Sequence, residues 1–255
     1  MTAPIARPSA RKLVAAFAIA ASLLAACGEP APTTGSRAIT FESTDGVELA
    51  GRLFGPSEGS AGVVLAHMSP SDQRSWFDFA ERLAREGYRV LTFDFRGYCP
   101  GGDGGCSEGE RDVPNIPKDV EGAIAELRRR GVTTVGLVGA SMGGTASLLV
   151  AADEGRDVAA VVTLSAPTAF EGLDANAEVL SEITAAKLFI AGLEDISAAQ
   201  AVDTLYAQTI QPKRPVILTT GDHGTDILTG NQAGRAADEV VNWLERYMPA
   251  GSAGG

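Results

Sequence analysis

The sequence predicts an α/β fold, namely a three-layer α/β/α sandwich with a mostly parallel sheet of about eight strands. Three observations support this prediction. Short apolar runs alternate with segments of helical periodicity along most of the chain. A hairpin pattern precedes these repeated units. The chain has 255 residues, 45% hydrophobic and 21% charged, which suits one globular domain with a sizeable core.

The first predicted elements are an antiparallel hairpin and a buried strand. AITFES and VELAGRLF flank a turn at Asp45-Gly46, a dipeptide typical of hairpins. AGVVLAH is short and apolar, as expected for a strand that is covered on both faces. Apolar residues then recur at helical spacing from Trp76 to Leu83, and Gly87 ends that predicted helix.

The later elements repeat a strand-then-helix order. RVLTFDF predicts a strand, PKDVEGAIAELRRRG a helix that ends at Gly131, and TTVGLVGA a strand followed directly by the helix TASLLVAADEG. Three further runs predict buried strands that end in polar loops: DVAAVVTLSAP, AKLFIAGLED and RPVILTTGDH. Helices are predicted near residues 198–207 and 232–247. Because ligands bind at the carboxyl ends of parallel strands, the residues just after the strands are the functional candidates.

The N-terminus predicts a signal peptide that is not part of the fold. A basic segment that ends at Lys12 precedes an apolar stretch, Leu13 to Leu24, which is too short to cross a bilayer comfortably as a helix. The following LAAC resembles the lipobox of bacterial lipoproteins, in which the cysteine, here Cys27, is lipidated and becomes the mature N-terminus. The alternative is an ordinary signal peptide cleaved near Ala26, with Cys27 incidental.

These features predict the domain boundaries and the location of the protein. Residues 1–26 are predicted to form a lipoprotein signal peptide and residues 27–37 a polar, Pro-containing tether. Residues 38–248 are predicted to form the folded domain, and residues 249–255 a disordered tail. The protein is therefore expected to be exported and held on the bacterial membrane or envelope by a lipid on Cys27.

Charge and composition argue against several classes of ligand. The formal net charge is −11, and an acidic surface repels phosphate backbones, so nucleic acid is not an expected partner. The chain has two histidines and three cysteines, without the spacing of a zinc finger. We therefore expect no metal and no cofactor. The glycines do not form G-x-G-x-x-G after a first strand, which argues against a nucleotide-binding oxidoreductase.

Cys99 and Cys106 lie in a loop of glycines and acidic residues, RGYCPGGDGGCSEGE. In an oxidising compartment, two cysteines that are separated by a short flexible segment favour a small disulfide loop. Free thiols are expected only if the protein stays in the cytosol. Export therefore favours a disulfide between Cys99 and Cys106.

A G-x-S-x-G pattern, Gly139-Ala140-Ser141-Met142-Gly143, lies between a predicted strand and a predicted helix. That context is typical of a nucleophile elbow, a sharp turn that strains the serine backbone and projects its hydroxyl outward. Small residues on either side let the helix pack close to the strand. Outside this context, the pattern would fit an ordinary packing turn.

A serine hydroxyl becomes a good nucleophile only when a base takes its proton. The chain order around an elbow is serine, acid, histidine, and only His223 follows Ser141. The acid must lie between them, on a loop that can orient the imidazole. FIAGLEDIS supplies Asp195, which we prefer to its neighbour Glu194. Asp222 is the poorer candidate because neighbouring side chains tend to diverge, and it adjoins His223.

With these residues identified, the chain resembles the α/β-hydrolase superfamily from about Arg37 to Tyr247. The resemblance implies hydrolysis of an ester, thioester or amide through an acyl-enzyme. Ser141 would be the nucleophile, His223 the base and then the acid, and Asp195 the group that orients the histidine. A carboxylesterase acting on a small-molecule ester is the expected enzyme. The alternative is a non-catalytic, surface-exposed binding lipoprotein with the same fold.

The resemblance also implies an oxyanion hole made of two backbone donors. The N–H of Met142, directly after the nucleophile, is the first. The second is expected in the loop after VVLAH, where the family often has His-Gly-x and this chain has His67-Met68-Ser69-Pro70. Ser69 and Met68 both remain candidates, whereas Pro70 has no N–H. His67 is expected to brace this loop, and the alternative is that it serves as a second base.

Two further features concern the surroundings of the site. FDFRGY resembles the Asp-x-Arg-Gly of the family, so Asp94 and Arg96 are expected to brace nearby loops, while CPGGDGGC lengthens the loop that follows. The interval between Ser141 and Asp195 (195 − 141 = 54) leaves no room for a large helical lid. An open site suits an esterase or a peptidase-like hydrolase better than a lidded lipase.

Overall fold

The computed structural model describes residues 1–3, 35–153 and 157–251 of the chain. The predicted signal peptide from residue 4 onward, Cys27 and most of the predicted tether lie outside the described residues, as do residues 252–255 of the predicted tail. Within the described residues, no helix combines the length and the apolar character that a membrane span requires.

A mixed eight-stranded sheet runs through the domain in the order β1-β2-β4-β3-β5-β6-β9-β10. In the described part of the chain, the strands are β1 (Arg37–Glu42), β2 (Glu48–Phe54), β3 (Ala61–Ala66), β4 (Arg89–Phe93), β5 (Thr134–Ala140), β6 (Val158–Leu164), β7 (Ala169–Phe170), β8 (Leu173–Asp174), β9 (Ala186–Gly192) and β10 (Lys213–Leu218). Strand β2 pairs antiparallel with β1 and β4, and the other pairs of the sheet are parallel. The predicted hairpin is present, and Gly46 adopts a φ of 85° at its turn.

Helices cover both faces of the sheet. They are α1 (Phe77–Arg85), α2 (Ile116–Arg129), α3 (Met142–Asp153), α4 (Ala177–Glu182), α5 (Ile196–Gln208) and α6 (Ala233–Tyr247). Successive strand residues point to opposite faces, so Val64 packs in the core beneath α2, α3 and α5, whereas Leu65 packs in the core beneath α1 and α6. The three-layer α/β/α sandwich predicted from the sequence is confirmed.

The segment between β6 and β9 contains more structure than the sequence predicts. One short helix is predicted there, and α4 occupies part of the segment. A two-stranded ribbon of β7 and β8 precedes this helix. Strands of two residues carry no alternating pattern, so periodicity gives no sign of them. No large helical lid lies between Ser141 and Asp195 in the described chain, because residues 165–185 form only the ribbon and α4.

A buried lysine stands at the start of β9. Lys187 is fully buried, and its Nζ donates a hydrogen bond of 2.8 Å to the carbonyl oxygen of Ile183. Burial lowers the pKa of Lys187 to about 8, with a smaller contribution from the charge of Lys213. This charge lies at the end of the strand opposite Asp195, so it belongs to the domain's stability and not to the site.

Candidate active site

Ser141 occupies the turn between β5 and α3. Its φ is 46°, a left-handed conformation that is uncommon for a residue with a side chain and costs about 1–3 kcal/mol. Its backbone N–H donates to the carbonyl oxygen of Leu164 on the neighbouring strand β6 at 2.8 Å, which anchors the turn to the sheet. The residue is 8% exposed. The turn therefore holds the serine in a strained and fixed conformation at the carboxyl end of β5.

The glycines of this turn are required by close packing. A Cβ on Gly139 would collide with the backbone of Gly143, and a Cβ on Gly143 would collide with the carbonyl groups of Ala66 and His67. The G-x-S-x-G pattern thus brings three backbones together, namely the strand, the helix and the loop that follows β3. This is the packing that the sequence predicted for these small residues.

Asp195 and His223 form a hydrogen-bonded pair. Asp195 follows β9 and immediately precedes α5, and His223 follows β10. The Nδ1 of His223 lies 2.6 Å from Oδ2 of Asp195. A carboxylate can only accept, so Nδ1 carries the proton and donates it, which leaves Nε2 as the basic nitrogen. The aspartate side chain is 11% exposed and the histidine side chain 43% exposed, so the carboxylate lies beneath an accessible ring.

In the described part of the chain, neither of the two alternative acids forms a hydrogen bond with His223. Oδ2 of Asp222 accepts a 2.6 Å hydrogen bond from the hydroxyl of Thr220, and this carboxylate packs against Gly230. Glu194 donates its backbone N–H to the carbonyl oxygen of Thr220 at 3.1 Å, and its side chain lies against Gly221. Among the three carboxylates, Asp195 is therefore the one paired with His223.

Neighbouring strands bring Ser141 and His223 to one edge of the sheet. The order β5-β6-β9-β10 places the residues that follow these strands side by side. Gly224, directly after His223, lies against Ala140, directly before Ser141, with 3.5 Å from the Cβ of Ala140 to the position of a Cβ on Gly224. Within the described residues, no hydrogen bond joins Ser141 and His223. Hydrogen bonds of this kind often shorten only when a substrate is bound.

The loop after β3 borders the same edge. Met68 packs its sulfur against Gly224, because a Cβ added there would collide with it. Met68 and Ser69 are both half-buried, and Met142 begins α3, where the first N–H groups of a helix have no partner inside it. The second oxyanion donor, Ser69 or Met68, remains a prediction.

His67 is bonded within this loop and not available as a base. The N–H of Phe95 donates to Nε2 of His67 at 3.1 Å, so Nδ1 carries the proton and donates to the carbonyl oxygen of Met68 at 2.9 Å. The ring is fully buried against Phe95 and Tyr98, and burial lowers the pKa of His67 to about 4. His67 therefore braces the loop as a neutral ring, as expected.

Asp94 and Arg96 brace the loops as the resemblance implied. The guanidinium of Arg96 binds the carboxylates of Asp119 and Asp45 at 2.6 Å and 2.7 Å, and it holds the pKa of Asp45 well below its usual range. Asp94 is fully buried, and burial raises its pKa to about 6. Its carboxylate is bound by Gln73, a residue that the sequence did not single out and that no periodic pattern marks.

A disulfide joins Cys99 and Cys106, the pairing that the sequence favoured. Both cysteines are exposed. In the described part of the chain, no group of three or more His, Cys, Asp or Glu side chains is arranged to hold a metal ion.

Residues 63–223 match the sequence profile of the alpha/beta hydrolase fold. An esterase of Pyrococcus furiosus is similar in structure, with a TM-score of 0.69 and 18% identity over 85% of this chain and 92% of that chain. A dienelactone hydrolase of Anabaena variabilis has a TM-score of 0.69 and 22% sequence identity, over 86% of this chain and 99% of that chain. A thermophilic esterase of Thermogutta terrifontis has a TM-score of 0.65 and 17% sequence identity, over 83% of this chain and 99% of that chain. No curated protein matches the chain. At these identities the structural likeness shows the fold alone, and the sequence match shows that the chain belongs to the alpha/beta hydrolase fold family.

Proposed function

We propose that this protein is a serine hydrolase that cleaves carboxylic esters of small molecules through an acyl-enzyme. The observation that carries the proposal is the 2.6 Å hydrogen bond between Asp195 and His223, at the sheet edge where Ser141 sits in a strained turn. Strain that a fold maintains at a polar residue is typical of functional sites. The nucleophile, base and acid proposed here are Ser141, His223 and Asp195.

Acylation begins when the Oγ of Ser141 attacks the ester carbonyl carbon. His223 Nε2 accepts the hydroxyl proton, and the carboxylate of Asp195 stabilises the imidazolium and holds its orientation. The carbonyl oxygen becomes an oxyanion in the tetrahedral intermediate. When the intermediate collapses, the bond to the alcohol oxygen breaks, and His223 gives its proton to the departing alcohol.

The oxyanion is held by backbone N–H groups. Met142 contributes its N–H at the positive end of α3, where the helix dipole adds to the stabilisation of negative charge. Ser69 or Met68 contributes the second N–H from the loop after β3. Deacylation repeats the sequence with water as nucleophile, which His223 deprotonates, and the carboxylic acid product leaves Ser141 free.

Esters are the proposed substrates in preference to thioesters and amides. An ester needs less assistance to its leaving group than an amide, and the absence of a large lid between Ser141 and Asp195 in the described chain suits small soluble substrates. Two of the structurally similar proteins are named as esterases.

The N-terminal features add a proposal on location. The signal-like segment and LAAC, which lie outside the described residues, support an exported bacterial lipoprotein that is attached to the membrane through lipid on Cys27. In cells that express the full chain and are grown with a labelled fatty acid, the wild-type protein should carry the label and the Cys27→Ser variant should not. Equal labelling of both would contradict the anchor.

Turnover of matched substrates tests the reaction class. A p-nitrophenyl ester, the corresponding thioester and the corresponding anilide, all with the same short acyl group, are compared on wild type and Ser141→Ala. We expect the ester to be hydrolysed fastest and the variant to lose at least 10³-fold, an order set by the loss of covalent catalysis. Binding of the esters without turnover in the wild type would favour the non-catalytic binding lipoprotein.

A further inference from the structure

Gln73 links the candidate oxyanion loop to the rest of the domain. It directly follows the loop 67–72, begins the helical turn Gln73–Trp76 and is 1% exposed. Its backbone N–H donates to Oδ1 of Asp94 at 2.9 Å, and its Nε2 donates to Oδ2 of the same carboxylate at 2.9 Å. The two bonds clamp the end of the loop onto Asp94, which follows β4.

The amide of Gln73 also reaches the disulfide loop. Its Nε2 donates to the carbonyl oxygen of Gly104, and its Oε1 accepts from the hydroxyl of Thr92 at 2.9 Å, which fixes the orientation of the amide. Gly104 lies inside the ring closed by Cys99 and Cys106, where it is buried against Pro100. The disulfide therefore holds in place the carbonyl group that Gln73 binds.

The same loop contacts the other end of the oxyanion loop. The ring of Tyr98, next to Cys99, lies 4.6 Å from the ring of His67. His67 in turn donates to the carbonyl oxygen of Met68 at 2.9 Å. Residues 67–73 are thus held at both ends by groups that the loop 98–106 contacts.

We propose that Gln73 is a positioning residue for the oxyanion hole and that the Cys99–Cys106 disulfide acts through it. This inference rests on the proposed function. Oxyanion donors act only within a narrow distance range, and small displacements of catalytic groups cost large factors in rate. A loop whose two anchors loosen will place the N–H of Met68 or Ser69 less accurately, so transition-state stabilisation falls while substrate affinity is kept.

The disulfide makes this positioning sensitive to thiols. Both sulfurs belong to exposed residues, and exposed disulfides are open to exchange. A dithiol reductant such as dithiothreitol would transfer two electrons and two protons: the S–S bond breaks, two thiols form on Cys99 and Cys106, and the reductant becomes a cyclic disulfide. The ring around Gly104 then opens.

The test combines reduction with substitution of Gln73. In the wild type, dithiothreitol is expected to lower kcat by about 10-fold and to change KM by less than twofold. Complete loss of an oxyanion donor costs about 10²–10³-fold in kcat, and here the N–H of Met68 or Ser69 is only displaced. Gln73→Met, which keeps the volume and removes the hydrogen bonds of the side-chain amide but not the backbone bond to Asp94, should lower kcat similarly. In Gln73→Met, reduction should then add less than a further twofold. Cys99→Ser/Cys106→Ser should behave as the reduced wild type and ignore the reductant.

A control on the same loop separates positioning from general disturbance. Asp103, also inside the ring, pairs on the exposed side with Arg52, so Asp103→Asn should leave kcat within twofold. If Gln73→Met does not fold, kcat of the reduced wild type and of the double serine variant still shows whether the disulfide supports the oxyanion hole. The proposal is overturned if folded Gln73→Met and the reduced wild type both keep kcat within twofold, or if the two effects multiply independently.

Hydrogen exchange provides a measurement that does not depend on turnover. On reduction of the wild type, peptides that cover residues 67–73 should exchange faster, whereas peptides from α6 should not change. Faster exchange together with no esterase activity in any form would refute the proposed function and leave the coupling intact. Unchanged exchange in residues 67–73 after complete reduction would overturn the coupling itself.

Discussion

Oδ2 of Asp195 lies 2.6 Å from Nδ1 of His223, although the two residues are 28 positions apart in the chain. The parallel strands β9 and β10 are neighbours, and the residues that follow them meet at one edge of the sheet. This bond leaves Nε2 of an accessible ring as the basic nitrogen.

Replacing Asp195 by Asn should remove the charge and keep the shape. The amide cannot hold the same tautomer or stabilise an imidazolium, so kcat/KM is expected to fall by about 10⁴-fold while the protein stays folded. Asp222→Asn is the matched control, because Asp222 adjoins His223 but bonds to Thr220. Steady-state kinetics of both variants check this. Equal losses in the two variants would contradict the choice of acid.

Replacing Ser141 tests whether its turn is strained. Glycine adopts the φ of 46° without steric cost, whereas alanine keeps the cost of its Cβ. We expect the free energy of unfolding of Ser141→Gly to exceed that of Ser141→Ala by about 1 kcal/mol, and both variants to be inactive. Denaturant unfolding measures the difference. A glycine variant that is clearly less stable than the alanine variant would refute the strain.

The buried, neutral His67 should make stability depend on pH. Its pKa is lowered from 6.5 to about 4. The stability that the neutral ring contributes is therefore complete above about pH 6.5 and is lost as the pH falls toward 4. The free energy of unfolding lost in this way is about 3 kcal/mol. The stability advantage of the wild type over His67→Gln should therefore shrink across this window. Asp94, whose pKa is raised to about 6, stabilises in the opposite sense as the pH falls, but it is common to both proteins. A constant difference in unfolding free energy would contradict this.

The buried Lys187 should make the stability of the protein depend on pH in the alkaline range. Its pKa is lowered from 10.5 to about 8, so below pH 8 the folded state bears the full cost of a buried charge, and that cost is relieved as the pH rises toward 10.5. Lys187→Met should be more stable than the wild type at pH 7, and the gap should close by up to about 3 kcal/mol between pH 8 and 10.5. Thermal or denaturant unfolding over this range measures it. Parallel stability curves would show that Lys187 does not titrate as stated.

The sequence was sufficient for the features that repeat or follow a fixed order. Alternating strands and helices predicted the layers, and the strand-to-helix context of Ser141 predicted its turn. Two histidines in the chain made His223 the only one after the serine. Each of these inferences needs only local pattern and chain order.

Contacts that depend on three-dimensional packing were not predictable in the same way. The preference for Asp195 over Asp222 rested on a general tendency, and the structure adds its physical reason, which is that Thr220 binds Asp222. Gln73 carries no local signal because its partners, Asp94 and Gly104, come from two other loops. Ser165, which follows β6 with a φ of 55° next to the site, was likewise unmarked in the sequence. The choice between Ser69 and Met68 as oxyanion donor also depends on such packing.

Covalent labelling tests the central claim most directly. The folded wild-type protein is treated with a fluorophosphonate, and the labelled residue is located by mass spectrometry of its peptides. We predict one phosphonyl group on the Oγ of Ser141, none in Ser141→Ala, and strongly slowed labelling in His223→Ala. Folded wild-type protein that takes no label, or takes it on another residue, would contradict Ser141 as the nucleophile.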